Sequence, residues 1–287
     1  MKKNIKSIFI LAFVGTLLLS VQSCKKRKLN KETTTSEDNS IAEASFDDIF
    51  KITNEAAEDE GGLRLTEEKA YSFGSCATVT LTPDLPDTTF PKTLIVDFGT
   101  SNCKGNDNVN RRGKIKAVFT GKYRDAGTKI TVTPENYYVN DYKVEGTKTI
   151  TNNGRNSAGN LNYSITVDGK VTTPESDVIT HESTRNREWI EGESTTWATS
   201  GLSGIFDDVY SITGNGGGIT REGRAYTIEV TKPLIIQVGC RWVKEGTLEI
   251  VPEELKTRTV DFGDRNEGCN NDATVTIGKK TYDIKMR

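Results

Sequence analysis

Val96-Asp97-Phe98-Gly99, followed by Cys103, recurs as Val260-Asp261-Phe262-Gly263, followed by Cys269. In both places a second cysteine, Cys76 or Cys240, lies 21 positions before the Asp. An upstream phrase also recurs: Phe46-Asp47-Asp48-Ile49-Phe50-Lys51-Ile52-Thr53 and Phe206-Asp207-Asp208-Val209-Tyr210-Ser211-Ile212-Thr213. Matches that keep their order predict an internal duplication. Each copy reads as an apolar strand ending in a Gly turn, its Phe in a core and its Asp accepting from loop amides. Asp-Phe-Gly is also the kinase magnesium triplet. The Gly-rich loop, strand lysine and catalytic-loop motif that must accompany it are missing from the sequence.

Between and after these copies the apolar period is two. Ile115, Ala117 and Phe119 alternate with polar residues, as do Leu161, Tyr163, Ile165 and Val167, and later Tyr226, Ile228 and Val230. Such alternation marks antiparallel strands with one wetted face. A hydrophobic share of 34% fits a broad sheet better than a thick core. Asp168-Gly169 between apolar flanks predicts a hairpin turn, and Asn152-Asn153-Gly154 a second. Glu145-Gly146, Glu191-Gly192 and Glu245-Gly246 place Gly within or beside strands, where it marks bulges and bends. The polar stretch Thr180 to Glu188, with His181, Arg185 and Arg187, predicts an edge or a strand wetted on both sides. Helical spacing of Phe46, Ile49, Phe50 and Thr53 predicts a helix over 41–53, capped by Ser45. The second copy predicts another over 203–213, stopped by Gly214-Asn215-Gly216-Gly217-Gly218. The expected fold is all-β: an extended, coiled antiparallel sheet of two pseudo-repeats, each opened by a short helix.

The N-terminus is a targeting segment. Lys2, Lys3 and Lys6 precede an apolar run from Ile8 to Leu19, too short to span a bilayer comfortably. Val21-Gln22-Ser23-Cys24 resembles a bacterial lipobox with Cys24 as the acylated residue. The expected organisation is a lipoprotein signal peptide over 1–23, a flexible tether over 24–40, a first β unit over 41–202 and a second over 203–287. The tether composition offers little apolar surface to offset ordering entropy. Losing 1–23 removes three lysines from 38 basic residues and none of the 40 acidic ones, so the mature chain is net acidic. That argues against nucleic acid as a partner. Lys25-Lys26-Arg27-Lys28 suits anionic head groups beside the anchor.

Export places the remaining cysteines in an oxidising space. The duplication favours Cys76–Cys103 and Cys240–Cys269 among the three connectivities. A zinc site is not indicated, since Cys-x-x-Cys is missing and His181 is the single histidine. The oxygen-rich loop containing Asp264, Glu267 and Asp272 is a weak calcium candidate that does not follow EF-hand spacing. No Gly-x-Ser-x-Gly motif stands near His181, and a lone histidine in a polar strand reads as solvated. Trp189 and Trp197 are the candidates for an exposed aromatic platform on a glycan.

Cys76-Ala77-Thr78-Val79-Thr80, Phe90-Pro91-Lys92-Thr93, Val96-Asp97-Phe98-Gly99, Arg112-Gly113-Lys114-Ile115 and Val144-Glu145-Gly146-Thr147-Lys148-Thr149-Ile150-Thr151-Asn152-Asn153-Gly154 occur in this order. This resembles an uncharacterised lipoprotein family of Bacteroidota, of the flavobacterial type, over residues 76–154. The resemblance implies a Gram-negative envelope and brings no assigned activity. With Lys25 after Cys24, it implies an outer-membrane location. The expectation is a non-enzymatic, lipid-anchored binding or scaffolding surface for an unknown protein or glycan, without cofactor. The alternatives are a carrier of lipid or lipopolysaccharide, which needs an inward apolar face open to ligand, and a glycan-handling enzyme.

Overall fold

A computed structural model describes residues 33–57, 76–84, 86–195, 200, 203–240 and 242–286. The expected signal segment 1–23, the expected acylation site Cys24, and Trp197 lie outside the described residues. The chain builds one antiparallel sheet of 14 strands. They are β1 Thr78–Thr82, β2 Lys92–Asp97, β3 Cys103–Lys104, β4 Asn110–Phe119, β5 Lys129–Val139, β6 Tyr142–Arg155 and β7 Leu161–Thr172. They continue with β8 Val178–Glu191, β9 Val209–Ile219, β10 Ala225–Gln237, β11 Glu245–Pro252, β12 Arg258–Asp261, β13 Asp272–Ile277 and β14 Lys280–Lys285. Neighbours in sequence are neighbours in space throughout, apart from short β3, which pairs with β4 off the main path. β8 and β9, on either side of the expected boundary between the two units, pair directly, with a register shift between Trp189 and Glu191.

The expected alternation holds on most strands. On β7, Leu161, Tyr163, Ile165, Val167 and Val171 are buried, and the polar residues between them are not. The buried side is covered by α1, Thr34–Ala57, which approaches β2, β4 to β8 and β11. Its stripe Ala42, Phe46, Ile49, Ile52 and Ala56 is almost wholly buried, at the spacing of one helix face. A second apolar cluster, with Ile228, Leu248, Ile250, Val260 and Val275, serves β10 to β13.

The helix is longer than the spacing predicts, and it takes in the last part of the expected tether. Asp38 and Asn39 are buried at 0% and 5% exposure, so charge pairing orders a stretch that apolar contacts alone would leave free. Ser45 is not a cap; its Oγ donates to the Ile41 carbonyl inside the helix, at 2.7 Å. The second predicted helix is reduced to one turn, α2, Ser203–Phe206. From Val209 the repeated phrase is strand, and the glycine run lies within β9. Val209, Tyr210, Ile212 and Thr213 favour strands. The glycines after them cannot propagate a helix, and the ladders of β8 and β10 accept the segment.

Asp168-Gly169 is not a turn. It sits inside β7, with Gly169 opposite Gly146 of β6. A Cβ at Gly169 would lie 2.4 Å from both the Glu145 carbonyl oxygen and the Phe46 ring, so close approach explains the glycine. The β6–β7 turn comes earlier in the chain, where the Gly159 amide donates to the Asn156 carbonyl. The three Glu-Gly steps do bend the chain: Gly146, Gly192 and Gly246 have φ of 130°, 89° and 116°. Gly146 and Gly246 fall where the β5–β6 and β10–β11 registers slip.

Both stapled corners form. Cys76–Cys103 and Cys240–Cys269 are disulfides with Cα separations of 5.8 and 5.6 Å. Asp97 and Asp261 each accept from the amide of the Gly two residues on, at 2.9 Å in both.

Candidate functional site: a cationic trough filled by the inner helix

The polar strand β8 is not an edge. It lies between β7 and β9 and buries one parity: Ile179, His181, Ser183, Arg185, Arg187 and Trp189. The polar residues of that parity face α1 rather than water. His181, expected to be solvated, has 0% exposure. Strands further along the sheet add Lys148 on β6 and Arg111 on β4, at 3% and 0%.

Acidic residues of α1 meet these cations in strand order. Asp38 accepts from Arg221, in the β9–β10 turn, through the backbone amide at 2.8 Å and Nε at 2.6 Å. Glu43 accepts from Arg185 Nη2 at 2.6 Å and lies 3.9 Å from His181 Nε2. Asp47 pairs with Lys148 at 3.0 Å, and the same ammonium donates to the Phe46 carbonyl at 3.1 Å. Asp48 accepts from Arg111 Nε at 3.1 Å and the Tyr137 hydroxyl at 2.6 Å. Lys51 reverses the polarity and reaches Asp107, beside β4, at 3.1 Å. The helix therefore lies across the strands. From residue 38 to 48 it rises about 15 Å, whereas five strand steps on a flat sheet span about 24 Å. The sheet curls around the helix.

The electrostatics follow from burial and pairing. Burial alone would raise the Glu43 carboxyl, but Arg185 and then His181 outweigh it and hold it below the ordinary value. His181 is pushed down, first by burial, with Glu43 opposing and Arg185 assisting. Burial raises the Tyr137 hydroxyl, and Asp48 adds to that, well above the ordinary value. Burial likewise raises Tyr226, with Glu43 and Asp38 contributing. Asp107 is held far down: its partial burial opposes this, and Arg111 and Lys51 overcome it.

Next to the ion pairs stands an aromatic group around Arg187. The guanidinium is 4.5 Å from the Phe50 ring centre, 4.7 Å from Tyr210 and 5.0 Å from Tyr163. Cation–π contacts of this kind strengthen when desolvated. Trp189 belongs here and not on a surface platform. It is 2% exposed, with Tyr210 at 5.3 Å and Arg124 over its ring at 4.5 Å. Its inward parity, shared with Ile179 and Arg187, is the reason. One edge of Trp189 lines an open cleft of about 430 Å³ with Arg155, Asn160, Glu191 and Glu193. There Arg155 and Glu193 pair with each other.

Under the first half of α1 the seam is incompletely satisfied. Ser36 Oγ, Asn39 Oδ1, both His181 ring nitrogens, Arg185 Nη1 and the Tyr226 hydroxyl are buried without a hydrogen-bond partner. His181, Gly218 and Tyr226 are register partners across β8, β9 and β10. Buried polar atoms are rarely left this way, and each asks for an explanation.

The calcium candidates do not converge. Asp264 accepts from the Asn266 amide at 2.9 Å and caps a short 3₁₀ turn, and Asp272 is paired with Lys285. Among the described residues no group of three or more potential ligands is placed to hold a metal, and no helix is long and apolar enough to cross a membrane. No known protein family, curated protein or solved structure matches the chain.

Residue spacing missed Arg111, Lys148, Arg185, Arg187 and Arg221 as a set. The available signal was twofold. Cations share parity with apolar residues on β6 and β8, and the acids of α1 flank its apolar stripe.

Proposed function

We propose that the chain is a non-enzymatic, lipid-anchored protein of the outer membrane that works as a binding surface. The observation that carries the binding half of this reading is α1 itself. An acidic, amphipathic element lies in a trough of matching cations and rings, and the β9–β10 turn, β8, β6 and β4 in turn each supply a cation to the next acid along the helix. Such ordered charge complementarity gives specificity more than raw affinity. The anchoring half rests on the basic start, the apolar run and the lipobox-like Val21-Gln22-Ser23-Cys24. Two disulfides suit an exported chain, and the resemblance over 76–154 supports the same compartment. We read the two stapled Asp-Phe-Gly corners as copies of one ancestral hairpin, although their helical openings have diverged.

Growing cells with an alkyne-tagged fatty acid tests the anchor. The expected result is label on the wild-type chain, lost in Cys24→Ala, with the protein in the outer-membrane fraction. Equal labelling of both chains would overturn the acylation site.

A second reading, a glycan-handling surface, draws on the cleft beside Trp189 with its Arg155, Glu191 and Glu193 lining. Glycan-array binding lost in Glu193→Ala but kept in Lys148→Met would favour it.

A further inference from the structure

We propose that the trough beneath α1 is a site for a phosphate-headed lipid, and that α1 is its intramolecular stand-in. The inference rests on the binding-surface reading above and names the class of ligand.

The floor is built by strand pairing and not by the helix. β4 to β9 are joined by continuous ladders, and their bulges set the curvature. Cationic Arg111, Lys148 and Arg185 stand among apolar Val132, Ile150, Val167 and Ile179, all buried on the covered side. Any occupant has to present negative charge next to apolar surface. α1 does so with Glu43, Asp47 and Asp48 flanking Phe46 and Ile49.

The helix meets this demand only in part. Glu43 gives one oxygen to one nitrogen of Arg185. Arg185 Nη1, the His181 ring and the Tyr226 hydroxyl remain buried and unpartnered around the same carboxylate. A phosphate offers more acceptor oxygens than a single carboxylate and suits a planar guanidinium fork. It would satisfy donors that Glu43 leaves idle. Acyl chains would take the places of Phe46, Ile49 and Ile52 against the apolar rows. The acids of two of these pairs are partly exposed, Glu43 at 30% and Asp47 at 62%, so the seam meets solvent along its charged edge, while the apolar stripe of α1 stays buried. The interior is closed while α1 is seated, and a ligand enters only by exchange with it.

The test uses the full-length mature chain carrying Cys24→Ala, so that acylation plays no part in the outcome. A short-chain fluorescent phosphatidic acid is titrated below its micelle concentration, with the phosphatidylcholine analogue as control. Hydrogen exchange of α1 is followed in parallel. The expected result is saturable one-to-one binding of the phosphatidic acid, with α1 amides losing protection as the lipid binds. Glu43→Gln with Asp47→Asn should raise the apparent affinity several-fold, because more molecules have an open trough. Arg185→Met and Lys148→Met should lower it. Should Arg185→Met fail to fold, Arg185→Lys keeps the charge, loses the fork and should still weaken binding. Lack of saturable binding would overturn the proposal. So would binding that leaves α1 protected and ignores these substitutions. A synthetic peptide of residues 34–57 that displaces α1 where the lipid cannot would overturn it as well, by showing that the trough takes a helix. Each of these failures leaves the labelling of Cys24 standing or falling on its own.

Discussion

Residues 46–53 and 206–213 are nearly the same phrase and fold differently. The first lies inside a 24-residue helix; the second leaves the helical state after Phe206 and becomes β9. In the first stretch Thr53 and Asn54 lead on to Glu55, Ala56 and Ala57, which are helix formers, and the sheet beneath supplies cations for Asp47 and Asp48. In the second stretch glycines follow, and the ladders of β8 and β10 lie on either side. The same local words are read by their neighbours. The consequence extends to the cores. The helix-covered side carries buried Arg111, Lys148, Arg185 and Arg187, whereas among the described residues of β10 to β13 a single cation, Arg258, is buried beside the apolar cluster.

The contrast should appear most strongly at the two aromatic heads of the phrase. Phe46 is 1% exposed and packed on Gly169 and His181, so Phe46→Ala should cost about 3–5 kcal/mol. Half-buried Phe206 should cost clearly less on the same substitution. Denaturant unfolding of both variants decides it, and equal losses would break the distinction between the copies.

Nearly as large is the effect at Asp48. Removing this carboxylate takes the acceptor from Arg111 Nε and from the buried Tyr137 hydroxyl while Asp107 stays paired with Arg111, and each buried donor left unsatisfied costs about 1–3 kcal/mol. Asp48→Ala should therefore destabilise far more than Asp207→Ala, at the exposed position that matches Asp47. Differential scanning calorimetry would rank them.

Deleting the staples comes next. Each closes a loop of similar length, 27 and 29 residues apart, so each should be worth about 3 kcal/mol. Cys103 is buried in the larger core and Cys269 is exposed, which adds a packing loss to the first pair when both its cysteines become Ala.

Acid should loosen the helix-covered side first. His181 is held below its ordinary value of about 6.5, so its share of stability is present above that pH and is lost as pH falls through the folded value. Glu43, also depressed, follows at lower pH, below the ordinary carboxylate range. The groups facing them are Asp47 on α1, Arg185 on β8, Lys148 on β6 and Tyr226 on β10. Protection of the α1 amides, referred to each amide's intrinsic exchange rate, should fall in the wild type as pH drops below about 6.5. His181→Phe should flatten that step, and an unchanged pH profile would contradict the assignment.

The smallest effects should be the Asx turns. Asp97→Ala and Asp261→Ala each remove one amide contact of 2.9 Å, about 1 kcal/mol or less. Asp97→Ala also removes an exposed ion pair with Lys114, a small further loss because such pairs are solvent-screened, so it should cost slightly more than Asp261→Ala.

The sheet was legible because alternation along β4, β7 and β10 is a property of single strands. The cysteine pairing was legible from the repeated spacing. The helix under the sheet was half legible: Phe46, Ile49 and Phe50 announce it, but Thr34 to Ser40 looks like solvated tether until Arg221 stands opposite Asp38. Asp168-Gly169 misled because a hairpin signal and a close-packed mid-strand glycine use the same residues. Trp189 misled because its strand neighbours are polar, and burial of arginines beside rings is a tertiary fact. No local window contains the acids and the cations of the trough together.

The central claim is that an acidic helix fills the curled sheet along its whole length, held by strand-by-strand charge pairs. Residue-resolved hydrogen exchange of Thr34–Ala57 tests it most directly, in the wild type and in Arg221→Met, which removes the side-chain partner of Asp38. The expected result is protection through Thr34–Ser40 as well as 41–57, lost first in that leading segment when Arg221 is replaced. Free exchange of residues 34–40 in the wild type, or a leading segment indifferent to Arg221, would contradict it.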